Sequence, residues 1–227
     1  DWGLDAVNVS PASAPEAITV AASDQNDQMT LFSNIGPKID VAAPGEDILS
    51  LKSSVDSGDC YPERTVGTNY CVQSGTSMAA PHVAGLAALL FSKNPSFTNE
   101  DVRQIIRSSA YDLGNPGRDN TFGYGRIDVG KALTYTNNKF LTTKITQPVR
   151  RTEIKSSYQI LGTATGSNFA SYKVEIGLGR MPASWTQITS SGSPVENGTL
   201  ATFDSATLPN GRYTLRLTAT DTFGKDY

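Results

Sequence analysis

Residues 74–85 read Ser74-Gly-Thr-Ser-Met-Ala-Ala-Pro-His-Val-Ala-Gly85, a turn of small residues that runs into an apolar stretch. The pattern predicts a helix that begins near Ser77. The first N–H groups of a helix lack intrahelical partners, and the helix dipole favours anions at this end. If the Ser77 hydroxyl attacks a carbonyl, the negative charge that develops on the carbonyl oxygen would therefore be stabilised here. Alternatively, the hydroxyl only caps the helix, which is a common role of Ser and Thr.

The order Gly-Thr-Ser-Met-Ala-x-Pro-His-Val-Ala-Gly within this stretch resembles the segment around the catalytic serine of subtilisin-like serine proteases, the subtilases. The resemblance implies that Ser77 is the nucleophile of peptide-bond hydrolysis and that its own N–H is one donor to the oxyanion. It also implies a polypeptide substrate and an inhibitory propeptide.

The base that would activate Ser77 is not provided by the only histidine of the chain, His82. Five residues of helix rotate a side chain by roughly 140° and move it by about 7.5 Å, so His82 points away from Ser77. In the family this histidine is structural. We therefore expect the catalytic histidine, the aspartate and the oxyanion asparagine to come from an upstream segment or chain. This chain alone is expected to be inactive.

The composition is that of an ordinary globular chain: 227 residues, 38% hydrophobic, 18% charged, with a net charge of −3. This length suits one large or two small domains. There is no basic excess that would indicate a nucleic-acid partner. The longest apolar run, from Val83 to Phe91, is too short to span a bilayer.

The two cysteines, Cys60 and Cys71, are too few for a metal site. They are either unrelated free thiols or a disulfide, and we favour the disulfide, which would indicate an oxidising, extracellular setting. They lie within a polar segment, residues 53–72, that is longer than an ordinary connection. This segment is either a surface loop or a lip of the active-site cleft.

Short apolar runs at residues 16–22, 39–45 and 48–51 predict strands, and the first of them suits a buried strand of a parallel sheet. By resemblance, Ala43-Pro44-Gly45 follows a strand that leads into the active-site region. A cation lies near the position of Asp40 in several family members, but Lys38 stands where an acidic residue is common there. Because a fixed positive charge opposes a cation, we assign no metal at Asp40. A structural calcium ion elsewhere in the intact protein is left open, and no cofactor is assigned.

Two further helices follow from the sequence pattern and the resemblance. The helix after Ser77 should end at Lys93, before Asn94-Pro95, and its run of apolar residues predicts burial on all sides. The next helix should begin at Thr98 and bury Val102, Ile105 and Ile106, with Arg103 and Arg107 on the solvent side. Residues 123–133 resemble the closing segment of subtilase domains, so the resemblance covers roughly residues 1–135.

Beyond that point the helical period disappears and short alternating runs predict strands near residues 158–162, 172–176, 185–188, 199–203 and 213–219. These strands predict a β-sandwich that resembles immunoglobulin- or fibronectin-type modules. The expected fold class is therefore α/β, the C-terminal part of a subtilisin-like parallel-sheet domain at residues 1–138. An all-β sandwich, truncated at its end, follows at residues 139–227.

Two functions are compatible with these observations. The first is a secreted serine endopeptidase whose nucleophile is Ser77. The alternative is a non-catalytic structural or binding protein on a protease scaffold, whose β-sandwich binds glycan, protein or cell envelope. The intact Gly75-Thr76-Ser77-Met78 favours the enzyme, since a scaffold has no use for that hydroxyl.

Overall fold

A computed structural model of the chain describes residues 3–54, 58, 60–135 and 140–227. The chain divides into two compact units, Asp1–Thr136 and Asn137–Tyr227. The predicted boundary between residues 138 and 139 lies outside the described residues. None of the helices among the described residues is long and apolar enough to cross a membrane.

The first unit is built on a short parallel strand pair against which helices pack. Its strands are β1 (Val20–Ser23), β2 (Val41–Pro44), β3 (Ile48–Leu51), β4 (Thr65–Val66) and β5 (Tyr70–Gln73). Its helices are α1 (Thr76–Lys93), α2 (Asn99–Ser109) and α3 (Val129–Thr134), with 3₁₀ turns at Ala6–Asn8 and Pro62–Arg64. Strands β1 and β2 run parallel, and their small residues allow α1 to pack closely against them.

Strands β3, β5 and β4 form a separate antiparallel sheet in that order. Leu51 is paired with Tyr70 on β5, and Tyr70 is paired with Val66 on β4. The predicted strand at residues 48–51 is present with the same bounds. The segment predicted as a polar excursion contains β4 and most of β5, which the sequence reading did not anticipate.

Helix α2 begins as predicted, because Thr98 accepts the N–H of Asp101 while the Asp101 carboxylate accepts the N–H of Thr98. Val102, Ile105 and Ile106 are buried. The prediction for Arg103 and Arg107 is wrong, since their side chains are only 12% and 21% exposed. Both reach groups far away in the sequence, which a local helical period does not reveal.

Helix α1 has the predicted end, but the prediction that it is buried on all sides is also wrong for this chain. One face packs on the parallel strands through Ala79, Val83, Leu86 and Leu90. The opposite face, which we call the bare face, is exposed, and it includes Ala80, Pro81, His82, Ala84, Gly85, Ala88 and Leu89. Within the described part of the chain, the elements that pack on α1 cover only one of its sides.

The second unit contains two antiparallel sheets of three strands each, in the orders β10-β7-β6 and β11-β8-β9. The strands are β6 (Thr142–Gln147), β7 (Ser157–Thr165), β8 (Phe169–Leu178), β9 (Thr186–Ser191), β10 (Val195–Asp204) and β11 (Tyr213–Asp221). Buried side chains from both sheets form one core, including Ile160, Val174, Leu200 and Ala219. Strand β6 has no counterpart among the predicted runs.

Candidate active site

Ser77 is the second residue of α1, and it is exposed. At this position a backbone N–H has no partner within the helix, so both the hydroxyl and the N–H of Ser77 lie where a substrate carbonyl can approach. The hydroxyl and the N–H of Ser77 are the two groups to which the family resemblance assigns catalytic roles.

The turn before Ser77 is held by the end of strand β2. The N–H of Gly75 donates to the carbonyl of Gly45 at 2.7 Å, and the N–H of Gly45 donates to the carbonyl of Ser23 at 2.9 Å. Gly45 therefore links β1 to the start of α1. The segment Ala43-Pro44-Gly45 ends β2 at the turn that carries the candidate nucleophile.

Gly45 has no room for a side chain. A Cβ atom there would lie 2.6 Å from the Cβ of Ala22, 2.9 Å from the carbonyl oxygen of Gly75 and 3.3 Å from the Cβ of Ala79. We expect Gly45→Ala to lower the free energy of unfolding of this chain by about 1–3 kcal/mol, because the neighbouring backbone must move. Urea unfolding followed by circular dichroism measures the loss.

Gly85 provides the matched control for that substitution, since no atom lies within 4 Å of a Cβ built there. It lies inside α1, where replacement of Gly by Ala favours the helix by about 0.5–1 kcal/mol. We expect Gly85→Ala to stabilise the chain. Equal destabilisation by both substitutions would contradict the close approach at Gly45.

A second link joins the two turns through side chains. The hydroxyl of Ser74 accepts the N–H of Asp47 at 2.9 Å and donates to the Asp47 carboxylate at 3.3 Å. The sequence reading did not single out this pair, because Asp47 carries no motif of its own. Together with Gly45, it fixes the backbone three residues before Ser77.

His82 is exposed, and its Nδ1 lies 2.9 Å from the carbonyl oxygen of Met78. A carbonyl oxygen only accepts hydrogen bonds, so Nδ1 carries the proton in this contact. The imidazole is thus bonded to its own helix.

Cys60 and Cys71 form a disulfide, with their Cα atoms 6.1 Å apart. Cys71 lies on β5, six positions before Ser77, and is buried. A depression of about 530 Å³ beside the disulfide is lined by Lys52, Gly58, Cys60, Tyr61, Pro62 and Thr65. It includes no residue of the stretch 74–85, and we assign it no catalytic role.

The disulfide should stabilise the segment that leads to Ser77. Closing a loop of this size contributes roughly 3 kcal/mol in the chain-entropy account. We expect the variant with both Cys60→Ala and Cys71→Ala to unfold at lower urea concentration than the unchanged chain. Reduction of the unchanged chain should give a similar shift, whereas the double variant should not respond to the reductant.

The surroundings of the Asp40 carboxylate do not fit a bound cation. Its carboxylate is 2% exposed and accepts the N–H of Thr19 at 2.6 Å through Oδ2. The other oxygen accepts two N–H groups of Arg107, one of them from Nε at 2.9 Å. Among the described residues, no three His, Cys, Asp or Glu side chains are grouped to hold a metal ion.

The charges around Asp40 also oppose a cation. Burial lowers the pKa of Arg107, but the attraction of Asp40, Tyr124 and Glu100 and the hydrogen bonds to Asp40 together outweigh burial, so the net shift is upward and the guanidinium stays charged. Burial lowers the pKa of Lys38, Asp40 opposes that shift, and the nearby arginines Arg103, Arg107 and Arg118 add to it. The positive charge that Asp40 needs is supplied by Arg107.

Comparison with known proteins identifies the group to which this arrangement belongs. A family model described as the Subtilase family matches residues 4–125. The chain is 41% identical over 130 residues to a thermostable alkaline protease of Halalkalibacterium halodurans, covering 57% of this chain and 31% of that protein. It is 43% identical over 125 residues to a thermophilic serine proteinase of Bacillus sp. strain AK1, covering 55% and 27%.

A solved protease structure from Pseudoalteromonas arctica matches with 31% identity and a TM-score of 0.49, covering 59% of this chain and 40% of that one. The chain thus spans less than a third of the length of the two curated relatives. Since the family model covers more than half of the residues, the chain belongs to the subtilase family of serine proteases.

Proposed function

We propose that this chain carries the nucleophile part of a secreted serine endopeptidase and that Ser77 attacks the peptide bond. The observation that carries the proposal is the exposed Ser77 hydroxyl at the start of α1, in a turn fixed by Gly45 and Asp47. A nucleophile needs this rigidity, because a small displacement of the attacking atom lowers the rate strongly.

In the proposed mechanism a histidine takes the proton of Ser77 while an aspartate orients that histidine. The N–H of Ser77 and a second donor, an asparagine, receive the negative charge of the tetrahedral intermediate. His82 does not act as the base, because five residues of helix rotate it away from Ser77 and its Nδ1–H bond to Met78 holds the ring against its own helix. The histidine, the aspartate and the asparagine come from a complementary segment of the protease.

The bare face of α1 supports the existence of that complementary segment. Apart from Pro81 and His82 near its start, this face consists mainly of small residues, chiefly alanine, which allow another element to pack closely. Leaving Leu89 48% exposed is unfavourable in water. We propose that the segment bearing the histidine and aspartate covers this face and thereby reaches Ser77.

The protease is proposed to act outside the cell. The disulfide between Cys60 and Cys71 supports an oxidising compartment. One relative, from Natrialba magadii, is an extracellular serine protease with 36% identity over 124 residues. We further propose that the second unit is an immunoglobulin- or fibronectin-like sandwich, supported by its two antiparallel sheets around one core.

The test of this function is the reaction of Ser77 with a serine-directed fluorophosphonate, in the complete protease and in this chain alone. Such probes react only with an activated serine, so the complete protease should be labelled and this chain should not. Rapid labelling of the chain alone would contradict the account of the base.

A further inference from the structure

The small sheet that precedes Ser77 has one apolar face in contact with solvent. Directly paired residues of neighbouring strands lie on the same face of a sheet, as do residues two apart along a strand. The pairs Leu51–Tyr70, Val66–Tyr70 and Leu49–Val72 therefore place five apolar side chains together. We call this set the apolar face. Leu51 is 78% exposed and Leu49 is 55% exposed.

The other face of the same sheet is more polar and is partly covered. Ser50, Thr65 and Cys71 are paired across it, and the disulfide brings Cys60 onto it. The Cys60 sulfur lies 3.4 Å from the hydroxyl of Thr65. The segment before β4 therefore covers part of this side, where Ser50 stays exposed. The exposed apolar side chains of the three strands, Leu49, Leu51, Val66 and Tyr70, all lie on the apolar face.

The apolar face is close in sequence to the candidate nucleophile. Its nearest member, Val72, precedes Ser77 by five residues, and fully extended chain spans at most about 3.6 Å per residue. Val72 is therefore no more than about 18 Å from Ser77 along the backbone. A polypeptide whose cleaved bond lies at Ser77 reaches the same distance with five or six of its own residues.

The chemistry of this face differs from that of the bare face of α1. It contains larger side chains and a tyrosine, Tyr70. Charged residues flank its strands in the sequence, since Asp47 and Lys52 bound β3 and Arg64 precedes β4. An apolar centre with tyrosine and a charged rim is typical of a surface that binds and releases a partner. Close-packed alanines are typical of a permanent contact.

We propose that the apolar face of β3, β5 and β4 binds an extended stretch of the polypeptide substrate, and that it selects apolar substrate residues several positions from the cleaved bond. This inference rests on the proposed function of Ser77. The disulfide holds the opposite side of the sheet, so the strands that present the face remain paired while substrates come and go.

The test uses the complete protease and peptides that share one cleavage site. Two leucines or two serines stand at the fourth to sixth positions from the cleaved bond, either before it or after it, which gives one leucine peptide and one serine peptide for each side. On the side that contacts the apolar face, the unchanged protease should cleave the leucine peptide with a kcat/KM roughly tenfold above that of the serine peptide, as expected for partial burial of two apolar side chains.

The variant with both Leu51→Ser and Tyr70→Ser should reduce this ratio to near one while the serine peptides are cleaved at an unchanged rate. Leu31→Ser is the matched control, because Leu31 is 96% exposed and lies outside the apolar face, so the ratio should persist. A leucine preference that survives in the double variant would overturn the inference.

The unfolding temperature of the double variant distinguishes a face that binds substrate from a face that another part of the protease covers. The double variant should unfold at the same temperature as the unchanged protease, because exposed apolar residues contribute little to stability. A large fall in the unfolding temperature, with none for Leu31→Ser, would show that another part of the protease covers the face, and would overturn the inference. Absence of fluorophosphonate labelling at Ser77 in every sample would instead overturn the proposed function, and this inference with it.

Discussion

A fluorophosphonate is expected to label Ser77 in the complete protease and to leave Ser77 of this chain unlabelled. The physical reason is that a serine hydroxyl is a weak nucleophile until a base removes its proton. The one histidine of this chain, His82, lies five residues further along the same helix, is rotated away from Ser77 and bonds to the backbone at Met78, so it does not serve as that base. Mass spectrometry of the labelled peptide identifies the modified residue.

The matched control is Ser77→Ala in the complete protease. Loss of the nucleophile is expected to lower kcat by about 10⁶-fold, a magnitude that is known from subtilisin itself and is borrowed from that protein. Casein hydrolysis and labelling should both disappear, while the unfolding temperature should be unchanged because Ser77 is exposed. Hydrolysis that persists in this variant would show that another residue is the nucleophile.

Asp40→Asn is expected to lower the free energy of unfolding of the first unit by about 3–5 kcal/mol. The substitution keeps the size of the side chain but leaves the largely buried guanidinium of Arg107 without its counter-charge, and breaking a buried ion pair has a cost of this order. All α-helices among the described residues lie between residues 76 and 134, so circular dichroism of the α-helices follows this unit during urea unfolding.

Asp27→Asn is the control, because Asp27 forms an ion pair with Arg126 in which both side chains are about one third exposed. Exposed pairs contribute about 0–1 kcal/mol. The difference in stability between the unchanged chain and Asp40→Asn should be the same with and without calcium, since Arg107 already supplies the positive charge. A calcium-dependent difference would show that a cation competes for Asp40.

Some features of the first unit were predictable because short sequence patterns dictate them. The end of α1 at Lys93 follows from Asn94-Pro95, and the start of α2 follows from the capping hydroxyl of Thr98. The stretch 74–85 was sufficient to identify the family, because small residues, a hydroxyl and a helix start occur together in a defined order.

Other features depend on partners that are distant in sequence and could not be predicted. Arg107 and Asp40 are 67 residues apart, and nothing local distinguishes Arg107 from a solvated arginine of an amphipathic helix. Likewise, the apolar composition of α1 indicates a helix that is made for burial. Which of its faces this chain covers depends on β1 and β2, whose positions follow from the tertiary fold.

The pairing of β2 has a consequence for the order in which this unit assembles during translation. Strand β2 pairs with β1, which is synthesised shortly before it, and Ala42 also forms a parallel bridge with Arg126, which is synthesised much later. Such non-local pairing slows folding. The ribosome therefore releases the Ser77 helix after both strands of the pair but before Arg126, so this edge of β2 is completed only after the helix has been synthesised.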